Sequence, residues 1–300
     1  MNILIIGGKS NAESIKRSAE KRGHFVDIVS SRDLVIYVNN GKIKYMLPTK
    51  ELLLRDYDLI FPYVLSTRIW HWIMYLKHVH KKYPHIKFIY SKYIDSKYKL
   101  YLSSVWDMKK LISKDINVPK TAVVHDAYGL KKALPKFEFP VIIKIRQSGM
   151  VQRGTGVFLV DSTKQALKLI KTYPHAASYL IREYIPNDGD YRLFTINYKV
   201  IAVMKRIPKK GEFRSNISQG GTGIKIDLDS VPELIEIAQK AAKITKNDIA
   251  GVDIMINKET GVPYVLEVNR GPQFAGVSKA TGVNIARHIV KYMELLVNRA

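Results

Sequence analysis

Hydrophobic and polar positions at the start of the chain follow the pattern of a parallel α/β unit. Residues 2–8 form a short apolar run that ends in two glycines, and the helical spacing after it stops at Gly23. Ser10 and Glu13 have the spacing of a capping box at the start of that helix. Further elements are predicted as strands at residues 25–30, 57–64 and 87–90 and as a helix at residues 70–83. Because strands and helices alternate, we predict a first domain with a parallel sheet at residues 1–92.

The middle of the chain changes to strands joined by polar loops. A helix-compatible stretch over residues 97–114 precedes three strands, which are predicted at residues 121–124, 141–145 and 157–160. The loop at residues 146–156 is polar and contains three glycines. Such a loop fits a plain hairpin, and its glycines would equally allow backbone N–H groups to wrap phosphate oxygens. We predict a second domain at residues 93–182.

The last part of the chain, residues 183–300, is predicted to form a third domain. Ser230 and Glu233 have capping-box spacing at the start of a helix that runs to Ile244, and a final helix begins at about Asn284. Strands are predicted at residues 179–185, 191–196, 200–206, 249–256 and 263–268. The last two strands flank a short polar turn, so they are predicted to form a hairpin.

Three side chains that carry oxygen lie on this hairpin. Asp253 lies in its first strand, and the period of two places Glu267 and Asn269 on the same face of the second. A turn near Lys258 would set Asp253 beside Glu267. Carboxylate and amide oxygens without histidine or cysteine are the ligands that magnesium prefers. The alternative is a solvated polar face of an antiparallel hairpin, and these residues alone leave both interpretations open.

Composition restricts the chemistry further. The 300 residues are 46% hydrophobic, which is enough for more than one packed core. There is no cysteine, which excludes disulfides, thiolate catalysis and cysteine metal sites. We find neither a membrane-spanning apolar run nor a secretory signal, so we expect a soluble cytoplasmic protein without a membrane partner. The net charge of +23 favours anionic ligands, although a lysine-rich composition that keeps the protein soluble explains it as well.

Five segments follow one another in a recognisable order: Arg182–Ile185, Gly189–Arg192, Lys210–Asn216 with Gly220 and Gly221, Ala250–Ile254, and Leu266–Asn269. Together they resemble the ATP-grasp superfamily, and within it the branch of the ribosomal-protein glutamate ligase, RimK. The resemblance extends from about Lys97 to the end of the chain. It implies an α/β (α+β) protein with the ATP-grasp fold, in which a parallel α/β domain precedes two α+β domains that clamp ATP between them.

The resemblance implies a nucleotide site in the cleft between those domains. Lys144 is similar to the lysine that reaches the nucleotide phosphates. Glu183 and Tyr184 match the connector whose backbone contacts the adenine edge, and Asp190 matches a position at the ribose end. The flap that closes over the phosphates corresponds to the loop that contains Gly149, Gly154 and Gly156.

The resemblance also implies a reaction centre. Asp253, Glu267 and Asn269 match magnesium ligands, with Glu267 bridging two ions, for which manganese could substitute. The segment that contacts phosphates and the reacting carboxylate corresponds to Arg214, Ser215 and Asn216. We therefore expect ATP and Mg²⁺ as cofactors, and Arg214 and Asn216 among the catalytic residues.

Two positions depart from the family pattern. The lysine expected near the adenine is Lys97 or Lys99, because the spacing to the following strand is longer than usual, and we favour Lys97. Arg270 follows Asn269 where the family has a small residue. A guanidinium there could bind a substrate carboxylate as a catalytic-site residue, or it could point into solvent or pair with Asp190 or Glu183.

The expected function is an ATP-dependent carboxylate–amine ligase that forms an acyl-phosphate and releases ADP and phosphate. Its partners would be an acidic carboxylate substrate, namely a peptide, a protein C-terminus or a small molecule, and an amine such as an amino acid. A homo-oligomer is compatible with the family. The rival hypotheses are a basic nucleic-acid-binding module, which only composition supports, and a scaffold that binds ATP without turnover.

Overall fold

The computed structural model describes residues 1–40, 42–47, 54–65, 68–95, 104–146, 156–209, 211–213 and 221–298. Within these ranges the strands form three sheets of four, four and five strands and a separate two-stranded hairpin. None of the helices found there is both long enough and apolar enough to cross a membrane.

The first sheet is parallel, as predicted, and has the strand order β2-β1-β5-β6. In chain order, the strands of this part are β1 (Asn2–Ile6), β2 (Phe25–Val29), β3 (Val35–Asn39), β4 (Lys42–Met46), β5 (Leu59–Phe61) and β6 (Lys87–Phe88). Strands β3 and β4 form a separate antiparallel hairpin, which the sequence did not predict. Helices α1 (Lys9–Glu20) and α2 (Ile69–Lys82) accompany the sheet.

The second sheet is antiparallel and has the order β7-β10-β8-β9. Its strands are β7 (Thr121–Val124), β8 (Val141–Arg146), β9 (Val157–Val160) and β10 (Ser178–Glu183). The helices of this part are α3 (Ser104–Ile112), α4 (Ala127–Ala133) and α5 (Thr163–Thr172). Apolar side chains of α4, α5 and one face of the sheet share a core, so the opposite face is left for other contacts.

The third sheet is also antiparallel, with the order β13-β12-β11-β14-β15. Its strands are β11 (Asp190–Ile196), β12 (Lys199–Ile207), β13 (Thr222–Ile226), β14 (Ile249–Ile256) and β15 (Pro263–Arg270). The helices are α6 (Pro232–Ile244), α7 (Ala275–Thr281) and α8 (Ile285–Asn298). The predicted hairpin of the last two strands is confirmed.

Both predicted capping boxes are wrong. Helix α1 begins after Gly8, whose φ of 89° puts it in the left-handed region, and Ser10 lies inside the helix without capping it. Helix α6 begins after Val231, and the hydroxyl of Ser230 donates instead to the carbonyl oxygen of Asp227 at 2.7 Å. In both cases the backbone path into the helix, a glycine turn or a proline in the first turn, decides where the helix starts.

The proposed division at residues 1–92, 93–182 and 183–300 stays a prediction, and one hydrophobic core crosses it. Buried residues of the parallel sheet pack with helix α8 and with Phe194, Ile249 and Phe274 from the last third of the chain. The first and last parts of the chain therefore share apolar contacts.

Two buried tyrosines connect the parallel sheet to the segment after β15. The hydroxyl of Tyr63 donates to the carbonyl oxygen of Pro272 at 2.6 Å. The hydroxyl of Tyr90 donates to the Ile249 carbonyl and accepts from the Gly271 N–H, both at 2.8 Å. Gly271 has a φ of 55°, and a Cβ there would lie 2.0 Å from the Tyr63 carbonyl oxygen, so only glycine fits. These contacts fix the chain that follows β15 against the first sheet.

We predict that Tyr90→Phe lowers the free energy of unfolding by roughly 2–4 kcal/mol, because it leaves a buried carbonyl and a buried N–H without a partner. Denaturant unfolding measures this loss, with Tyr128→Phe as the control, since Tyr128 is 66% exposed. A loss no larger than that of the control would show that the tyrosine bridge contributes nothing to stability.

Candidate active site

The register of β14 and β15 brings together the oxygen-bearing side chains that the sequence singled out. Asp253 pairs directly with Glu267, as predicted, and Gly251 pairs with Asn269. The register shifts by one residue immediately after Asp253, which marks a bulge at this point of the hairpin. Asp253, Glu267 and Asn269 therefore lie at adjacent positions of one sheet.

Two arginines hold the Asp253 carboxylate, which is 7% exposed. Arg192 binds it through both Nε and Nη2, the second contact being 2.8 Å to Oδ2. Arg206 Nη2 lies 3.1 Å from Oδ1, and Asn269 Nδ2 lies 3.2 Å from Oδ2. Burial alone would raise the pKa of Asp253, but the two guanidinium groups hold it below its usual value. The carboxylate is ionised, and protein donors satisfy both of its oxygens.

Arg206 also binds Asp190, the residue expected at the ribose end of the nucleotide. Its guanidinium contacts both carboxylate oxygens, with Nε 3.1 Å from Oδ1. Asp190 is 1% exposed. The structure therefore places Asp190 inside a buried charge network with Arg206 and Asp253, and the ribose contact stays a prediction.

Sequence reasoning missed Arg192 and Arg206 as members of the site. Both are cross-strand partners of site residues, Arg192 of Asp253 and Arg206 of Asp190. The signal present in the sequence was the period of two from Asp190 to Arg192. At Gly251, a Cβ would lie 3.1 Å from the side chain of Arg192, so this glycine leaves room for the guanidinium.

Glu267 and Asn269 fit the first coordination sphere of a hard cation. Glu267 is exposed and lines a cavity, and among the described residues its carboxylate has no hydrogen bond or ion pair. Asn269 uses its amide nitrogen toward Asp253 and the Gly251 carbonyl, which leaves its carbonyl oxygen available. The described ranges hold no cluster of three or more histidine, aspartate or glutamate side chains that would form a closed cage. Such a half-open set suits magnesium, which keeps waters and shares phosphate ligands.

Lys144 lies on β8 of the second sheet, within range of the charges of this network. Burial lowers its pKa, as does the nearby charge of Arg182, while Glu267, Asp253 and Asp190 act in the opposite direction. Its neighbour Ile145 donates its N–H to the Gly156 carbonyl at 2.8 Å, so Gly156 is hydrogen-bonded to strand β8. Lys144 and these carboxylates are therefore close enough for their charges to interact.

The predicted connector lies at the end of β10. Glu183 Oε1 accepts from the backbone N–H of Lys120 at 2.7 Å, and the Glu183 N–H donates to the Lys120 carbonyl at 3.0 Å. Tyr184 follows and is half-buried. The side chain of Glu183 is thus engaged with the chain that enters β7.

Arg270 lines a cavity of about 190 Å³ between helix α3 and strand β15. The Tyr93 hydroxyl accepts a hydrogen bond from its side chain. Burial lowers the pKa of Lys92 to about 7, and the charge of Arg270 contributes to that shift. Asp107 lines the same cavity. Burial raises the pKa of Asp107, and the charges of Lys92 and Arg270 partly offset that shift. From the sequence, Glu183 and Asp190 were alternative partners of Arg270. In the structure, the side chain of Glu183 contacts Lys120 and that of Asp190 contacts Arg206.

Several predicted residues lie outside the described ranges, so the structure gives no position for them. They are Lys97 and Lys99 near the adenine, Gly149 and Gly154 of the flap, and Arg214, Ser215 and Asn216 of the phosphate segment.

Comparison with known proteins identifies relatives of this arrangement. The family described as the RimK-like ATP-grasp domain matches residues 104–293. A probable alpha-L-glutamate ligase of Vibrio atlanticus (strain LGP32) is 30% identical over 303 residues, covering 98% of this chain and 95% of the relative.

Two solved structures share the fold. The ATP-grasp ligase PsnB, complexed with a phosphomimetic variant of its minimal precursor, Mg and ADP, has a TM-score of 0.66 at 14% identity and covers 98% of each chain. D-alanine–D-alanine ligase from Bacillus anthracis, complexed with ATP, has a TM-score of 0.68 at 16% identity and covers 100% of this chain and 98% of its own. The expected ATP-grasp fold is confirmed.

We predict that Arg192→Met lowers the free energy of unfolding at neutral pH by about 3–5 kcal/mol, because it removes one partner of a buried carboxylate. The folded pKa of Asp253 lies below the unfolded value of 3.8, so its ionisation stabilises the protein above that pH and the contribution is lost as the pH falls through the folded pKa. Denaturant unfolding should therefore show the difference at neutral pH and a smaller one below 3.8.

The control for this experiment is Arg55→Met, because the side chain of Arg55 is 67% exposed. If Arg192→Met destabilised equally at both pH values, its contribution would be packing of the side chain and not the charge of Asp253.

Proposed function

The chain belongs to the RimK-like ATP-grasp family and is thereby an ATP-dependent carbon–nitrogen ligase, and we propose that the cleft between Lys144 and the β14–β15 hairpin is its active site. In this reaction a carboxylate becomes an acyl-phosphate, an amine attacks it, and ADP and phosphate are released. The observation that supports this site most directly is the cross-strand pair of Asp253 and Glu267, with Lys144 within electrostatic reach on the second sheet.

We propose that Glu267 and the carbonyl oxygen of Asn269 bind the cation directly. ATP-grasp ligases use ATP and magnesium, and a pair of ions held by Glu267 would supply partners for its exposed carboxylate, which has none among the described residues. Asp253 would be a third ligand if Arg192 and the Asn269 amide released its Oδ2 atom. Manganese, with similar preferences for oxygen ligands, could occupy the same positions.

The residues of the cleft perform the reaction by charge and position. A carboxylate is a poor electrophile at neutral pH, and ATP with its cations supplies the phosphoryl group and the charge neutralisation that activate it. Lys144 binds phosphate oxygens, and Arg192 and Arg206 keep Asp253 ionised and its side chain fixed. No side chain needs to act as a covalent nucleophile, which agrees with a chain that contains no cysteine. Arg214 and Asn216 would be the catalytic residues that contact the phosphates and the reacting carboxylate.

The nucleotide would extend from Lys144 toward the connector. In this arrangement the backbone of Glu183 and Tyr184 would contact the base, Asp190 would lie toward the ribose, and Lys97 would be the lysine near the adenine. Backbone N–H groups of the loop that contains Gly149, Gly154 and Gly156 would bind the phosphates, and Ser215 would add a hydroxyl contact. The three domains proposed above would enclose the nucleotide between the second and the third.

The substrates are an acidic carboxylate and an amino acid. The net charge of +23 favours an anionic substrate such as an acidic peptide, a protein C-terminus or a small polycarboxylate. The relative from Vibrio is named an alpha-L-glutamate ligase, which supports glutamate as the amine. Activity in a homo-oligomer is compatible with this proposal.

Glu267→Gln is expected to fold normally and to lower kcat by roughly 100-fold or more, because it removes the charge that neutralises the cations at the reacting phosphoryl group. The measurement is release of ADP in the presence of Mg²⁺, amino acids and acidic peptides, with mass analysis of the products. Glu259→Gln is the matched control, since this exposed glutamate lies in the turn of the same hairpin. Near-normal magnesium-dependent activity of the Glu267 variant would refute the metal assignment. A nucleic-acid-binding module or an inert scaffold would show no turnover in the unmodified protein.

Arg270→Lys is expected to raise the Michaelis constant for the carboxylate substrate by about tenfold, or roughly 1.4 kcal/mol, and to leave that for ATP nearly unchanged. The reason is that an ammonium cannot reproduce the bidentate contact of a guanidinium with a carboxylate. Thermal unfolding of the same variant provides the control, because Arg270 also contacts Tyr93. A lower melting temperature with unchanged kinetic constants would assign Arg270 to structure.

A further inference from the structure

Arg182 is a buried cation whose Nε has no acceptor among the described residues. It is 5% exposed at the end of β10, and its Nε is buried without any hydrogen-bond partner among the described residues. Its Nη2 reaches the sulfur of Met108 at 3.9 Å, and a thioether is a weak acceptor. A buried guanidinium in this condition destabilises the free protein, so an absent ligand is the expected source of its acceptors.

The charges around Arg182 do not replace that ligand. Burial lowers the pKa of Arg182 and the charge of Glu267 raises it, but no hydrogen bond joins the two side chains in the described structure. Lys144, on the next strand, is a second cation close enough for the charge of Arg182 to lower its pKa. Two neighbouring cations on one face of a sheet favour a ligand that presents several acceptor atoms.

The position of Arg182 indicates which part of the ligand it meets. Along the paired strands, Lys144 lies opposite Leu180, whereas Arg182 lies opposite Ile142. Arg182 is therefore on the same face as Lys144 but two residues, or about 6.6 Å, nearer to the connector at Glu183. If Lys144 binds the phosphates, the apolar surroundings of Arg182, with Ile142 and Met108, belong to the base.

We propose that Arg182 donates hydrogen bonds to O6 and N7 of a 6-oxopurine, so that the site accepts a guanine or hypoxanthine nucleotide at least as well as ATP. This inference rests on the proposed function, in which Lys144 and the connector bind the nucleotide. An arginine carries only donors, and its two-point contact with O6 and N7 is the most common specific contact to guanine. Adenine presents an N6 amino donor at the corresponding place, and glutamine or asparagine is the side chain that matches it.

The test is calorimetric titration of the full chain with the magnesium complexes of ATP, GTP and ITP, which measures binding without turnover. In the unmodified protein, GTP and ITP are expected to bind at least as tightly as ATP. ITP has the O6 and N7 acceptors without the guanine amino group, so it isolates the proposed contact. Arg182→Gln is expected to shift the ratio of the dissociation constants for GTP and ATP by tenfold or more in favour of ATP. Arg55→Gln, which changes an exposed arginine, should leave that ratio unchanged.

Each of the other results of the titration leads to a single conclusion. Tenfold tighter binding of ATP than of GTP and ITP by the unmodified protein would overturn the inference and leave the proposed function intact. Equal weakening of all three nucleotides in Arg182→Gln would also overturn it, because Arg182 would then bind phosphate. Binding of none of the nucleotides would refute the proposed function itself. If Arg182→Gln does not fold, Arg182→Lys keeps the charge but loses the two-point contact, and its ratio should still shift toward ATP.

Discussion

The buried carboxylate of Asp253 needs two guanidinium groups, and the arrangement of the third sheet follows from that need. A charge removed from water is tolerated only when it is paired and hydrogen-bonded, and removing one partner of such a pair typically costs about 3–5 kcal/mol. Arg192 and Arg206 supply the pairing from two neighbouring strands, β11 and β12. Asp190 completes the network by neutralising Arg206 from the other side. The network therefore fixes three strands of the sheet relative to one another.

This pairing separates two kinds of acidic side chain in the same hairpin. Asp253 is satisfied by protein donors, whereas Glu267 remains exposed beside the cavity. Asn269 contributes in both ways, because its amide nitrogen binds Asp253 and its carbonyl oxygen stays available for a ligand. A cation would then be attracted to the side of the hairpin that is still negatively charged. The contacts of Tyr63 and Tyr90 with the segment after β15 hold this side against the parallel sheet.

Local patterns were enough to predict that Asp253 pairs with Glu267 at the centre of the proposed site. Alternation along β15 placed Glu267 and Asn269 on one face, and the short turn set the pairing with Asp253, which the structure confirms. The same patterns could not reveal Arg192 and Arg206, because their contact with Asp253 depends on the order of strands in the sheet, in which β11 lies between β12 and β14. The failure of both capping boxes has a similar cause, since the path of the chain into each helix overrides a local sequence signal.

Burial was the other property that the sequence did not reveal. Arg182 belongs to one of the segments that resemble the ATP-grasp superfamily. The sequence did not indicate, however, that this arginine is only 5% exposed and that its Nε has no hydrogen-bond partner among the described residues. Gly271 likewise looks like an ordinary turn residue, and only the proximity of the Tyr63 carbonyl shows why no side chain is tolerated. Both features arise from contacts between parts of the chain that are far apart in sequence.

The central claim is that Glu267 and Asn269 bind the cations that activate the phosphoryl group. The most direct test is a crystal structure with Mn²⁺ and a non-hydrolysable ATP analogue, in which anomalous scattering locates the metal. We expect anomalous peaks at about 2.0–2.2 Å from a Glu267 carboxylate oxygen and from the Asn269 carbonyl oxygen, with nucleotide phosphates as further ligands. Bound nucleotide with manganese peaks away from both side chains would contradict the account.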